Sequence, residues 1–213
     1  MDINMLVCSD LHSSDKALDM ISKLAGSGEF DLIVVCGDFT TVGTTDYVKR
    51  FLKGAGEVMV LAVPGNCDLP ETVEVLEKAH ASVHNRRTRF GDWDFYGFGG
   101  GVTTSSGMPF ENEESVIEEA LRRVAVPGGV MVTHTPPYGM NDLGRAGNHG
   151  GSQAVMRVVK DFRPKLVLSG HMHESQGSKQ AEGTIFVNPG SARLGAYASV
   201  LLGPTIRAKL YNE

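Results

Sequence analysis

Three times before residue 69, a short apolar run stops at an acid or an amide and is followed by a stretch of helical periodicity. Ile3 to Cys8 stops at Ser9-Asp10-Leu11-His12, Asp31 to Cys36 stops at Gly37-Asp38, and Val58 to Val63 stops at Pro64-Gly65-Asn66-Cys67-Asp68. Near-continuous apolar strands alternating with helices are the signature of a parallel sheet covered on both faces. In such sheets ligands bind beyond the C-terminal ends of the strands. Each of these runs delivers a polar side chain to that end.

The helices between them are placed by the same logic. Asp15 to Ala25 carries Leu18, Ile21 and Leu24 at helical spacing, with Ser13 or Ser14 as N-cap and Gly26 just past the end. Tyr47 to Leu52 and Leu69 to Ala79 fit two more helices. In the middle of the chain, Trp93 to Phe98 alternates aromatics as an antiparallel strand does, beside a glycine-rich loop, and Glu113 to Val124 reads as a helix. Val130 to Thr133 is an apolar strand stopping at His134, and a helix from about Ser152 to Phe162 follows. Val167-Leu168-Ser169-Gly170-His171-Met172-His173 then ends a further apolar run in two alternating histidines. Thr184 to Val187, Ser199 to Leu202 and Ile206 to Tyr211 read as short antiparallel strands.

Five strand ends therefore present Asp10 and His12, Asp38, Asn66, His134, and His171 with His173. Imidazole and carboxylate are the donors that borderline divalent metals prefer. One such ending is explained by a cap or a turn; five together point to a shared metal site.

Composition narrows the rest. No linker, repeat or low-complexity tract divides the 213 residues, so one domain over 1–213 is expected. A net charge of −5 gives no general attraction to long nucleic acid or to an anionic membrane. Any phosphate specificity must then be local. Three cysteines without paired spacing fit a reducing compartment, and with no apolar run of membrane-spanning length a cytoplasmic location is the expectation.

Taken together, Asp10-x-His12, Gly37-Asp38, Gly65-Asn66-x-Asp68, His134 and Gly170-His171-x-His173 resemble the blocks of the calcineurin-like metallophosphoesterase family, in the family's order. Asn188-Pro189-Gly190-Ser191 resembles the turn that compact members carry after them. The resemblance implies a four-layer α/β/β/α sandwich with two mixed sheets and a two-metal centre at their strand ends. It also implies that Asp10, His12 and His173 hold one metal, that Asn66, His134 and His171 hold the other, and that Asp38 bridges both. Mixed nitrogen and oxygen donors suit Mn²⁺ first, with Fe or Zn²⁺ as alternatives. The chemistry implied is in-line attack on phosphorus by a metal-bridging hydroxide. Two divalent ions bring about four positive charges and two carboxylates with a hydroxide remove about three, leaving a surplus for phosphate.

One position departs from the pattern. Many members carry His after the motif asparagine, where it is thought to protonate the leaving oxygen, and here that position is Cys67. A thiol is a poor acid for the purpose. Some compact members with Cys here are phosphodiesterases, which makes hydrolysis of a small phosphodiester or nucleotide the leading expectation. The alternatives are a phosphomonoesterase or protein phosphatase of the same family, and a non-catalytic scaffold such as a trafficking-complex subunit. Cys67 itself reads equally as an inert packed thiol. His149, in a polar loop, reads either as a solvated residue or as the group that contacts phosphate or supplies the missing proton. Asp68 reads as a partner of a metal-bound histidine or as a helix cap. Arg86, Arg87 and Arg89 read as a solvated hairpin face or as a phosphate-gripping rim, and Arg193 invites the same question. Trp93, Phe95, Tyr96 and Phe98 read as core between two sheets, Cys8 and Cys36 as core, and His80 and His84 as chemically idle. A homodimer is a family-level expectation only.

Overall fold

The computed structural model describes residues 2–213. In chain order the elements are β1 (Ile3–Cys8), α1 (Asp15–Ala25), β2 (Leu32–Val35), α2 (Asp46–Gly54), β3 (Met59–Ala62), α3 (Glu71–Lys78) and β4 (Arg86–Phe90). Then come β5 (Trp93–Phe98), the two-residue strands β6 (Gly101–Val102) and β7 (Glu111–Asn112), α4 (Glu114–Val124), β8 (Val130–Thr133), α5 (Gln153–Phe162) and β9 (Leu166–Leu168). The chain finishes with β10 (Gly177–Ala181), β11 (Thr184–Asn188), β12 (Ala196–Leu202) and β13 (Arg207–Asn212). The caps follow local chemistry. Ser14 Oγ accepts from Ala17 N at the start of α1, and Ser152 Oγ accepts from Val155 N at the start of α5.

Two large sheets carry the strands, ordered β13-β12-β1-β2-β3 and β10-β11-β9-β8-β5-β4. Side-chain alternation sorts each strand between two cores. In the first sheet Leu6, Ile33, Val35, Val60 and Ala62 pack on the α1–α3 side, whereas Met5, Val7, Leu32, Val34 and Leu61 face the second sheet. In the second sheet Val130, Val132, Leu166 and Leu168 meet them, while Met131 and Val167 pack under α4 and α5. The layers run helices, sheet, sheet, helices, so the four-layer sandwich stands. Both sheets are mixed: β1, β2 and β3 are parallel and β12 joins them antiparallel.

Several sequence expectations change here. The strand over 184–187 is antiparallel only to β10; to β9 it is parallel. Likewise β5 is antiparallel to β4 and parallel to β8. Of the aromatics expected between the sheets, Trp93 and Phe95 are there, but Tyr96 and Phe98 sit with α4 and α5, as period-2 alternation requires. Arg86, Arg87 and Arg89 are exposed on the edge strand β4, with Arg86 paired to Glu77 at 2.8 Å, as the hairpin reading expects. Cys8 and Cys36 are fully buried. His84 has a structural part to play: its Nδ1 accepts from Gly99 N at 2.9 Å, and burial lowers its pKa to about 4. Among the described residues no helix is long and apolar enough to cross a membrane.

Candidate metal centre

The ligand-type residues sit where strands end, on backbone that ordinary residues avoid. Asp10, His12, Asp38 and His171 have φ of 56°, 47°, 53° and 66°. A non-glycine residue in this left-handed region costs roughly 1–2 kcal/mol, and such strain collects at functional sites. Each sharp reversal turns the side chain from the sheet's edge back across its end. Gly65 and Gly170 make the closeness possible. A Cβ at Gly65 would collide with the Asp38 carboxylate and backbone nitrogen, and one at Gly170 would collide with Ser9 Oγ and stand 2.8 Å from Asp10 Oδ2.

The donor atoms converge. His173 Nε2 is 3.1 Å from Asp10 Oδ1 and 3.3 Å from His12 Nε2. Asp38 Oδ2 lies 3.8 Å from His12 Nε2 and 3.5 Å from His134 Nε2, and His134 Nε2 is 2.9 Å from Asn66 Oδ1. Asp10, His12 and His173 form one group able to hold an ion, and Asp10, Asp38 and His134 form another. His171 falls outside both groups: its ring lies edge-on to His134 at 5.0 Å, and its backbone N–H donates to Asp10 Oδ2 at 3.1 Å. Cys67 joins His12 and Asp38 in a third group, although its expected part was that of an acid or of packing. Its sulfur lies 3.9 Å from Met108 Sδ.

The outward nitrogens are pinned from behind. His12 Nδ1 is 2.9 Å from Thr41 Oγ1, and His134 Nδ1 is 2.7 Å from the Cys36 carbonyl. Such partners fix ring orientation and leave Nε2 for a ligand. The Cys67 N–H donates to Asp38 Oδ1 at 2.8 Å, which leaves Oδ2 facing the histidines. The Asn-Pro-Gly-Ser turn braces the other side. Ser191 Oγ donates to the Asp10 carbonyl, Arg193 N–H does the same at 3.2 Å, and Asn188 Nδ2 donates to the Met172 carbonyl between the two histidines.

Charge tests whether a cation fits. Asp10 and Asp38 are at most 2% exposed, and among the described residues their ion pairs are with histidines and none is with Lys or Arg. Burial pushes Asp10 up, but the hydrogen bond from His173 and the charges of His134 and His173 outweigh it and bring its pKa to about 2. Burial and then the neighbouring Asp10 raise Asp38, against the pull of His134. Burial opposes a proton on His134, yet Asp38 and Asp10 raise its pKa, and the Asp10 hydrogen bond raises His173. His171 falls to about 4 through burial and the charge of His134. The two buried carboxylates thus favour positive charge at His134 and His173. A divalent cation fits the same donors.

Asp68 fills neither expected part. Among the described residues it hydrogen-bonds no histidine, and α3 begins beyond it; its carboxylate accepts from the backbone N–H groups of Phe39, Thr40 and Gly65 and from Thr40 Oγ1. It ties the Asp38 turn to the Asn66 turn. Burial and then Asp38 raise its pKa to about 6. Thr41, the Cys36 carbonyl and Asp142 were not foreseen, since nothing in their spacing distinguishes them. His149 does not join the ligand groups; it bonds Asp142.

Residues 3–175 match the family model for calcineurin-like phosphoesterases. An uncharacterised protein of Methanocaldococcus jannaschii is 30% identical over 167 residues, 75% of this chain and 77% of its own. The crystal structure of the Thermus thermophilus protein TT1561 superposes with a TM-score of 0.76 at 20% identity, covering 98% of this chain and 99% of that one. A structure described as a novel archaeal phosphodiesterase gives 0.57 at 16% identity, covering 98% of this chain and all of the other. The two structural likenesses show the shared fold.

Proposed function

The chain belongs to the calcineurin-like phosphoesterase family, whose members are metal-dependent phosphoric ester hydrolases, and on that premise we propose that it hydrolyses a small phosphodiester or nucleotide at a two-metal centre. The observation that carries the reading is the position of Asp38 Oδ2, 3.8 Å from His12 Nε2 and 3.5 Å from His134 Nε2. A carboxylate set between two histidine groups suits a shared ligand. Asp10, His12 and His173 would hold one ion, Asn66, His134 and His171 the second, and Mn²⁺ is favoured by the donor types, with Fe or Zn²⁺ next. Divalent ions at these donors supply Lewis acidity to phosphoryl oxygens and make water nucleophilic near neutral pH.

The protein's own contribution is rigidity and charge. Thr41 orients the His12 ring, the Cys36 carbonyl requires N–H at His134 Nδ1, and the Cys67 N–H keeps Asp38 from rotating. The neutral amide of Asn66 adds no negative charge against an incoming phosphate. Cys67 in the place of a histidine supports the diester reading, as does the fold shared with an archaeal phosphodiesterase. Full occupancy of the ligand positions by competent donors argues against a scaffold.

The test is hydrolysis of bis-p-nitrophenyl phosphate beside p-nitrophenyl phosphate by metal-stripped protein, with and without Mn²⁺. Turnover that requires Mn²⁺ and is faster on the diester is the expected result. Faster turnover of the monoester makes the protein a phosphatase, and metal binding without turnover of either makes it a binding protein.

A further inference from the structure

We propose that His149, oriented by Asp142, donates the proton to the leaving oxygen in this hydrolysis; the inference rests on the phosphoesterase reading above. The loop between β8 and α5 is an ordered excursion. Asp142 sits at its neck, 1% exposed, with Oδ1 2.8 Å from His149 Nδ1 and Oδ2 accepting from the N–H groups of Gly139 at 2.9 Å and Gly151 at 3.2 Å. The His149 ring packs against Tyr138, with centroids 4.7 Å apart. The side chain is 40% exposed, and among the described residues Nε2 has no protein partner.

The loop is fastened to the turn that carries two of the site's histidines. Leu143 N–H donates to Ser175 Oγ at 2.9 Å, Ser175 Oγ donates back to the Leu143 carbonyl at 2.8 Å, and Arg145 pairs with Glu174 at 2.6 Å. Gly150 lies so close to Met172, between His171 and His173, that a Cβ there would stand 2.7 Å from its sulfur. An imidazole held on Nδ1, with no protein partner on Nε2 among the described residues, on a loop fastened to the turn of His171 and His173, has the arrangement of a general acid. Cys67, the residue in the usual acid's position, has its thiol against Met108.

The step balances simply. Water oxygen bonds to phosphorus and releases one proton to solvent as the bond from phosphorus to the leaving oxygen breaks with its electron pair. That oxygen takes the Nε2 proton of the His149 imidazolium. The neutral ring keeps its proton on Nδ1, hydrogen-bonded to Asp142 Oδ1, and regains the Nε2 proton from solvent. Asp142 acts through His149 and is a positioning residue.

The experiment is a series of aryl phosphodiesters from p-nitrophenyl to phenyl, measured with Mn²⁺ on the wild type, His149→Gln and Asp142→Asn. General acid catalysis is typically worth ~10²–10⁴-fold. His149→Gln should lose about 10²-fold on the phenyl ester and less than about tenfold on the p-nitrophenyl ester, steepening the leaving-group dependence. Asp142→Asn should show the same pattern, smaller. An equal loss across the series, or none, overturns the proposal and leaves the pair as a loop staple. A wild type inactive on every ester overturns the phosphoesterase reading, and the donor with it. Imidazole ¹⁵N spectra of the metal-free protein read the pair without activity. At a pH where the His149 ring is neutral, its single proton is expected on Nδ1 in the wild type, and that tautomer preference is expected to be lost in Asp142→Asn. A neutral ring with its single proton on Nε2 and none on Nδ1 contradicts the orientation proposed.

Discussion

Asp38→Asn is expected to lower Mn²⁺-dependent hydrolysis of bis-p-nitrophenyl phosphate by about a thousandfold while leaving the metal-free protein at least as stable as the wild type. Metal ions contribute several kcal/mol of charge stabilisation in such transition states, and ~4 kcal/mol corresponds to about three powers of ten in rate. The stability half of the prediction follows from the site's charge. Burial, and then Asp10, raise the pKa of Asp38, so in the metal-free protein its ionised form is disfavoured. A raised carboxyl pKa takes stability away as pH rises, and asparagine removes that cost near neutral pH. The amide oxygen can still accept from the Cys67 N–H, now 2.8 Å from Asp38 Oδ1. Thermal denaturation with and without Mn²⁺ checks it: the variant should melt no lower than the wild type without metal and gain less from metal. A variant that keeps full turnover would remove Asp38 from the site.

Gly65→Ala should cost stability through sterics alone. The added methyl would strike the Asp38 carboxylate and its backbone nitrogen, in a turn so tight that a Cβ at Gly37 would in its turn meet the Gly65 backbone. Both neighbours are rigid, one a turn at φ 53° and the other at φ 92°. Overpacking of this kind costs about 1–3 kcal/mol or more. For a chain of this size ~3 kcal/mol lowers the melting temperature by roughly 6–12 °C. Gly28→Ala is the control, because it has φ 78° but open space around it, and it should cost only about 1 kcal/mol. Melting curves of both variants, with Mn²⁺ binding by the folded fraction, separate the two effects. Gly65 has no positive φ, so a loss no larger than that at Gly28 would mean that closeness to Asp38 does not set a steric cost there.

Strands covered on both faces leave little room for polar residues, so β1, β2, β3, β8 and β9 announce themselves, while burial runs on past their ends into Asp10, Asp38, Asn66 and His134. Ligand chemistry admits few residue types, which made Asp10, His12, Asp38, His134 and His173 legible as a set. What escaped was held by partners distant in sequence. The strand β10, Gly-Ser-Lys-Gln-Ala, carries no apolar pattern and exists through backbone bonds to β11 at the sheet's edge. The parallel pairing of β11 with β9 depends on which neighbours the sheet offers, and hydropathy does not encode direction. Asp68 and Asp142 act by accepting backbone N–H groups, and such acceptors leave no periodicity or spacing to find. His149 was visible only as a histidine in a polar loop; the buried carboxylate behind it is a tertiary fact.

The central claim is that the end of the sandwich holds divalent ions around Asp38. Anomalous difference maps from crystals grown with Mn²⁺ measure this directly. The account predicts one peak among Asp10, His12, His173 and Asp38, and a second among Asp38, Asn66, His134 and His171. Maps without a peak between these side chains, from protein shown to be saturated with Mn²⁺, would contradict it.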